Sequence, residues 1–209
     1  MKRLLDRGYE LFSKQLHAIF ILSGICAFGL YAFISFMGSI ILYPEEALSY
    51  TITLFVNAAI ISGLIYGHYK GKDPVLLVSL LAYFVLFFNS RFTGAMWGLS
   101  YISKAPVTYV LMWIFFLLFA LALGCLTVSL LLVYLFKIRK AKYFLEASYL
   151  VTLGFGYLAW IFGIVFAASG GNWLDGVLPL LEVTSLLMLP GLLESILPGE
   201  LDTVNKEIE

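Results

Sequence analysis

The sequence predicts an all-α polytopic integral membrane protein with about six transmembrane helices, preceded by a short amphipathic interfacial helix. Composition and pattern carry that expectation together. Of 209 residues, 62% are hydrophobic and 12% charged, whereas a soluble domain has roughly 45–50% apolar and about 25% charged residues. So short a chain has no core large enough to hide that much apolar surface from water, so lipid must be its solvent. The apolar runs are long and continuous. A transmembrane barrel would instead alternate apolar and polar residues over segments of about ten, so the runs read as helices that satisfy their own backbone.

Residues 1–16 place Leu4, Leu5, Leu11, Phe12 and Leu16 on one stripe and most of the charges elsewhere. That pattern predicts an amphipathic helix lying on the inner membrane surface, the other reading being an extension of the first span. Asp6, Glu10 and Lys14 interrupt the segment after Met1-Lys2-Arg3, and the apolar run that follows is far longer than a signal h-region, so the first helix is expected to stay in the mature protein. A transmembrane domain over 17–198 then holds spans at about 17–43, 48–68, 74–90, 107–136, 147–168 and 173–198, and a polar tail covers 199–209.

The punctuation between spans has physical causes. Pro44-Glu45-Glu46 stops the first helix, and Asp73-Pro74 supplies a cap and a first-turn proline for the third. Asn89 to Pro106 is the longest non-apolar connection and is expected to be an ordered external loop or re-entrant segment carrying Arg91, Trp97 and Lys104. The fourth span would be roughly 45 Å long against a hydrocarbon core of about 30 Å, so it must tilt, kink or project into water. Ser169-Gly170-Gly171-Asn172 marks a tight turn before the sixth segment.

Lysine and arginine set the expected orientation. With the amino terminus inside, eleven basic residues fall on the inner side and only Arg91 and Lys104 outside, so both termini are expected in the cytoplasm of a multi-pass protein of the plasma membrane. The formal net charge is zero, which gives no sign of a nucleic-acid partner. Cys26 and Cys125 sit within apolar runs and read as small buried hydrophobes. His17 and His68 lie near span ends and are not spaced as a ligand pair, so no metal is expected.

Two stripes of small residues, Ala59, Gly63 and Gly67 in the second span and Ala159, Gly163 and Ala167 in the fifth, predict close helix packing. Asn57 is an intramembrane amide that would tether two helices. The sixth segment has the clearest candidate site. Glu182 stands in an apolar run, with Asp175 seven residues earlier on the same face if the helix is continuous. A carboxylate at a helix centre costs about 2.5–3.5 kcal/mol on insertion scales and normally faces a bundle interior or a polar path. If the helix instead starts at Pro179, Glu182 is a first-turn acid that complements the helix dipole. Pro190 strains the Leu186 carbonyl four residues earlier, which makes a hinge or a bend.

Candidate solute or proton contacts are therefore Glu182, Asp175, Asn57, Arg91, Trp97 and Lys104. Six helices with minimal loops and a proline-broken last helix point to a membrane transport component, a permease-like subunit or small-solute-binding module. No P-loop occurs, so any ATP use would require a separate ATPase subunit, and no cofactor motif is present. A scaffold, assembly or regulatory subunit of a membrane complex is the second reading. The absence of HExxH, of GxSxG and of a Cys/His constellation leaves an intramembrane enzyme third.

Overall fold

A computed structural model describes residues 2–138 and 141–196, with side chains from Leu16 onward except Lys104. Its helices are α1 (Lys2–Leu42), α2 (Ala47–Lys70), α3 (Asp73–Leu99), α4 (Val107–Leu130), α5 (Ala141–Ala168), α6 (Leu174–Leu186) and α7 (Met188–Ile196). Among the described residues, six segments, the last made of α6 and α7 together, are long and apolar enough to cross a membrane. The protein is an all-α polytopic membrane protein. The polar tail from Gly199 and the basic pair Arg139 and Lys140 lie outside the described residues.

Several boundaries differ from the sequence expectation. The amphipathic segment is not a separate element, because α1 runs without a break from Lys2 to Leu42. Ser13-Lys14-Gln15-Leu16-His17 contains neither glycine nor proline, so nothing there interrupts the backbone ladder. The expected external loop is mostly helix. α3 continues nine residues past the expected span end at 90, and the connection to α4 shrinks to residues 100–106 around a short 3-10 turn, Ile102–Lys104. Helix α5 likewise starts six residues before the expected Ala147.

Turns follow their local chemistry. Gly71 closes α2 at φ +59°, and Lys72 N–H reaches back 2.8 Å to the Gly67 carbonyl, a left-handed terminus that glycine adopts without a Cβ clash. The over-long fourth span resolves as α4 followed by one π-helical turn over Leu131–Leu135, where Phe136 N–H bonds the Leu131 carbonyl at 3.1 Å. Asn172 Oδ1 accepts from Leu174 N–H at 3.1 Å and so starts α6 at Leu174, with Pro179 inside the helix. The start at Pro179 is thereby excluded. At the other end of the segment the helix breaks at Leu187, whose N–H turns back to Thr184 at 3.1 Å. Pro190 has no N–H for the Leu186 carbonyl, so the break falls where that strain arises.

The chain divides into two compact units, one from the described residues of Met1–Ser79 and Thr184–Glu209, the other Leu80–Val183. In the first, α1 packs on α2 and α7. Gly24 brings α1 against Ser185 and Met188, and Gly191 brings α7 against Ile21, at distances where a side chain at either glycine would collide. Gly63 and Gly67 admit Ser79 and the Leu76 backbone of α3. Ala59 departs from its expected stripe: it is exposed, and the buried positions of α2 are Ile60, Leu64 and Gly67. His17 Nδ1 pairs with Glu194 Oε2 at 2.7 Å.

In the second unit, α4 and α5 form the most extensive helix pair. The buried stripe of α5 is Ala141, Leu145, Ser148, Thr152, Gly156, Ala159 and Gly163, a regular three-and-four spacing. Its hydroxyls need partners in an apolar interior. Ser129 and Ser148 Oγ atoms meet at 3.2 Å across the pair, and Thr152 donates to the Ser148 carbonyl at 2.6 Å. Ala167, the last of the expected stripe, is only half-buried. Cys26 and Cys125 are exposed on outer helix faces rather than buried, which corrects the sequence expectation. A thiol is apolar enough to face lipid.

Candidate functional site

The site is an ion pair inside the second unit. Arg91 Nη2 of α3 lies 2.8 Å from Glu182 Oε1 of α6, and the two side chains are 13% and 0% exposed. Arg91 is eight residues from the end of α3 and Glu182 eight residues from the start of α6, so each sits about 12 Å in from its helix end. A charge at that depth must be paired, because the surroundings cannot solvate it.

Two aromatic rings lie beside the guanidinium. The Arg91 guanidinium carbon stands 5.8 Å from the Phe87 ring centre and 5.5 Å from that of Phe116 on α4. Such contacts favour a planar, weakly hydrated cation over an ammonium. Behind Phe87, the rings of Tyr83, Phe84 and Phe119 follow at centroid spacings of 4.9 to 6.1 Å. Gly156 of α5 leaves room for Phe119 and Val183, the residue next to Glu182.

Glycine and proline position α6 on α5. Pro179 cannot donate to the carbonyl of Asp175 four residues earlier, which is thereby released from the helix ladder. That carbonyl packs directly on Gly163, where any Cβ would collide with it. Pro179 and Gly163 therefore act together: one frees the oxygen, and the other lets it approach a bare backbone where a weak C–H···O contact is available. At the same end of the unit, Trp113 Nε1 donates to the Ala95 carbonyl at 2.7 Å, and Gly98 makes room for the indole.

Of the six residues expected at a site, the fold joins two. Arg91 and Glu182 meet. Asp175 is half-buried in the first turn of α6, about 10 Å along the helix from Glu182. Trp97 is 70% exposed on the outer face of α3. Lys104 ends the short turn before α4, and its side chain lies outside the described residues. Asn57 is half-buried on α2.

Phe87, Phe116 and Phe119 were not singled out by sequence reasoning. A signal for Phe87 existed, since positions Leu76, Leu80, Tyr83, Phe87, Ala95 and Gly98 keep helical spacing straight through Arg91 and are buried. Chemically, the pair offers one proton-accepting carboxylate and one permanent cation in a water-poor setting. No protein-family model, curated protein or solved structure matches the chain.

Proposed function

We propose that this chain is a membrane-embedded transport component, a permease-like or small-solute-binding subunit in which Arg91 and Glu182 form the ionisable element. The observation that supports this reading is the buried 2.8 Å pair itself. Ionisable residues within spanning helices are costly and are kept where ions, protons or polar solutes must pass. The helix break at Leu187, five residues beyond Glu182, fits the discontinuous helices used for such sites.

In this reading both termini face the cytoplasm of a plasma-membrane protein. With Arg91 inside α3, the far side keeps only Lys104 against eleven basic residues on the near side. Single cysteines at positions 72 and 142, in a background lacking Cys26 and Cys125, should resist an impermeant thiol reagent on intact cells. Labelling at position 142 would reverse the orientation.

Reconstitution tests the function. Proteoliposomes carrying the wild-type chain with its copurified partners should move protons or a small solute, and Glu182→Gln should lower that flux at least tenfold while the protein stays folded. Glutamine keeps size and hydrogen bonding but cannot ionise. A second reading has its own support: the Arg91 guanidinium lies beside two phenyl rings and Glu182 is wholly buried, as in a fixed clamp. A scaffold or regulatory subunit would show no flux, and Glu182→Gln would copurify with unchanged partners.

A further inference from the structure

The Arg91–Glu182 pair has a charge constraint that limits what it can bind. The guanidinium stays protonated under all ordinary conditions, and the two rings beside it, Phe87 and Phe116, offer no charge to balance it. α4 carries no charged residue from Val107 to Leu130. α5 carries charge only at Lys142 and Glu146, far along the helix from Gly156, the position that packs beside Val183. On α6 the other acid is Asp175, about 10 Å away along the axis. From α3, Arg91 itself is the charged group facing Glu182. A single uncompensated charge in such surroundings is strongly disfavoured.

We propose that Arg91 is an anion site whose resident ligand is the Glu182 carboxylate, and that a proton and a small monocarboxylate together displace that ligand. The proton adds to a Glu182 carboxylate oxygen, the Arg91–Glu182 ion pair opens, and the incoming carboxylate forms the new ion pair with the guanidinium. One positive and one negative charge enter, so the site remains neutral before and after. The inference rests on the transport reading of this same pair, and it makes the transported unit electroneutral: one proton with one monovalent anion.

The ligand class follows from the contacts. The guanidinium already holds a carboxylate, and its planar fork matches that group better than a spherical ion. A second charge on the ligand would leave the enclosed site unbalanced, which excludes dicarboxylates and doubly ionised phosphate. Approach is from the arginine side, since Glu182 is fully covered and Arg91 keeps 13% of its side chain exposed. Gly94, one turn toward the end of α3, is itself exposed, and a Cβ there would meet only the Phe116 ring edge, at 3.7 Å. A bulky residue at that position would crowd the edge of the Phe116 ring that flanks the guanidinium.

Formate is the probe, in detergent-purified protein and without any flux measurement. In weakly buffered solution the wild type should take up one proton for each formate bound. Glu182→Gln should bind formate with no proton uptake, and Gly94→Leu should slow binding at least tenfold. Glu182→Ala leaves a carboxylate-sized space beside Arg91, so formate should raise its melting temperature in a saturable way. Neutral formamide should not, and the double variant Arg91→Ala with Glu182→Ala should not respond. Formate bound to the wild type without proton uptake would overturn the proposal, as would no formate binding, or chloride matching formate in the rescue. If Glu182→Ala fails to fold, the proton count on the wild type still decides. Proton-linked formate binding combined with absent flux would keep the site and remove the transport reading.

Discussion

Gly163→Leu is expected to lose at least about 3 kcal/mol of stability in detergent, toward the upper end of what overpacking normally costs. The reason is the identity of the obstructing atom. At Gly163 the first side-chain carbon meets the backbone carbonyl of Asp175, and backbone cannot swing aside as the end of a flexible side chain can. Relief requires α6 to move off α5, and that movement disturbs the seating of Glu182 on the same helix. Gly154 on α5 is the internal control, because a Cβ there meets nothing within 4 Å. Gly154→Ala should be neutral or stabilising by up to about 1 kcal/mol through helix propensity alone. Phe162, half-buried and stacked on Phe115 at 4.8 Å, should tolerate leucine better than Gly163 does. Thermal melts of the three variants in one detergent check the order, and equal losses at Gly163 and Phe162 would contradict the close contact.

Arg91→Met is expected to cost about 3–5 kcal/mol, the range seen when one partner of a buried ion pair is removed. The methionine fills much of the volume beside Phe87 and Phe116, so the loss is electrostatic rather than a cavity effect: Glu182 is left fully covered with no cation. Glu182→Met should cost a similar amount by stranding Arg91. The double variant should recover most of either loss, because two apolar side chains of matching size carry no desolvation penalty in that enclosure. Additive losses in the double variant would mean that the two charges do not act on each other.

Much of the fold was legible because membrane helices declare themselves by length and hydropathy, and because proline acts locally. Pro190 placed strain at the Leu186 carbonyl, and the chain breaks at Leu187. Glu182 stood out as an acid in an apolar segment, and it is buried. The position of Arg91 was not legible in the same way. Asn89-Ser90-Arg91 interrupts the hydropathy of the third span, so the segment resembled an external loop. Hydropathy measures compatibility with lipid. It is silent about a charge whose partner lies on another helix 91 residues away in sequence.

The small-residue stripes show the same limit. Ala159 and Gly163 lie on the packed face of α5, whereas Ala59 points outward from α2, although both sets share a spacing of four. Spacing defines a face but not which neighbour comes to it. Pro179 was ambiguous because proline is favoured in a first helical turn and tolerated inside a membrane helix. The side chain of Asn172 resolves the matter by capping α6 two residues ahead of Leu174.

Charge exchange tests the central pairing most directly. Arg91→Glu alone sets two acids together, Glu182→Arg alone sets two guanidinium groups together, and each should yield little folded protein. The exchanged double variant restores one cation and one anion to the same enclosure. It should be purified in a folded, monodisperse state and melt well above either single variant, short of the wild type because Phe87 and Phe116 flank the α3 position rather than the new arginine. An exchanged variant no more stable than the worse single variant would contradict the pairing of Arg91 with Glu182.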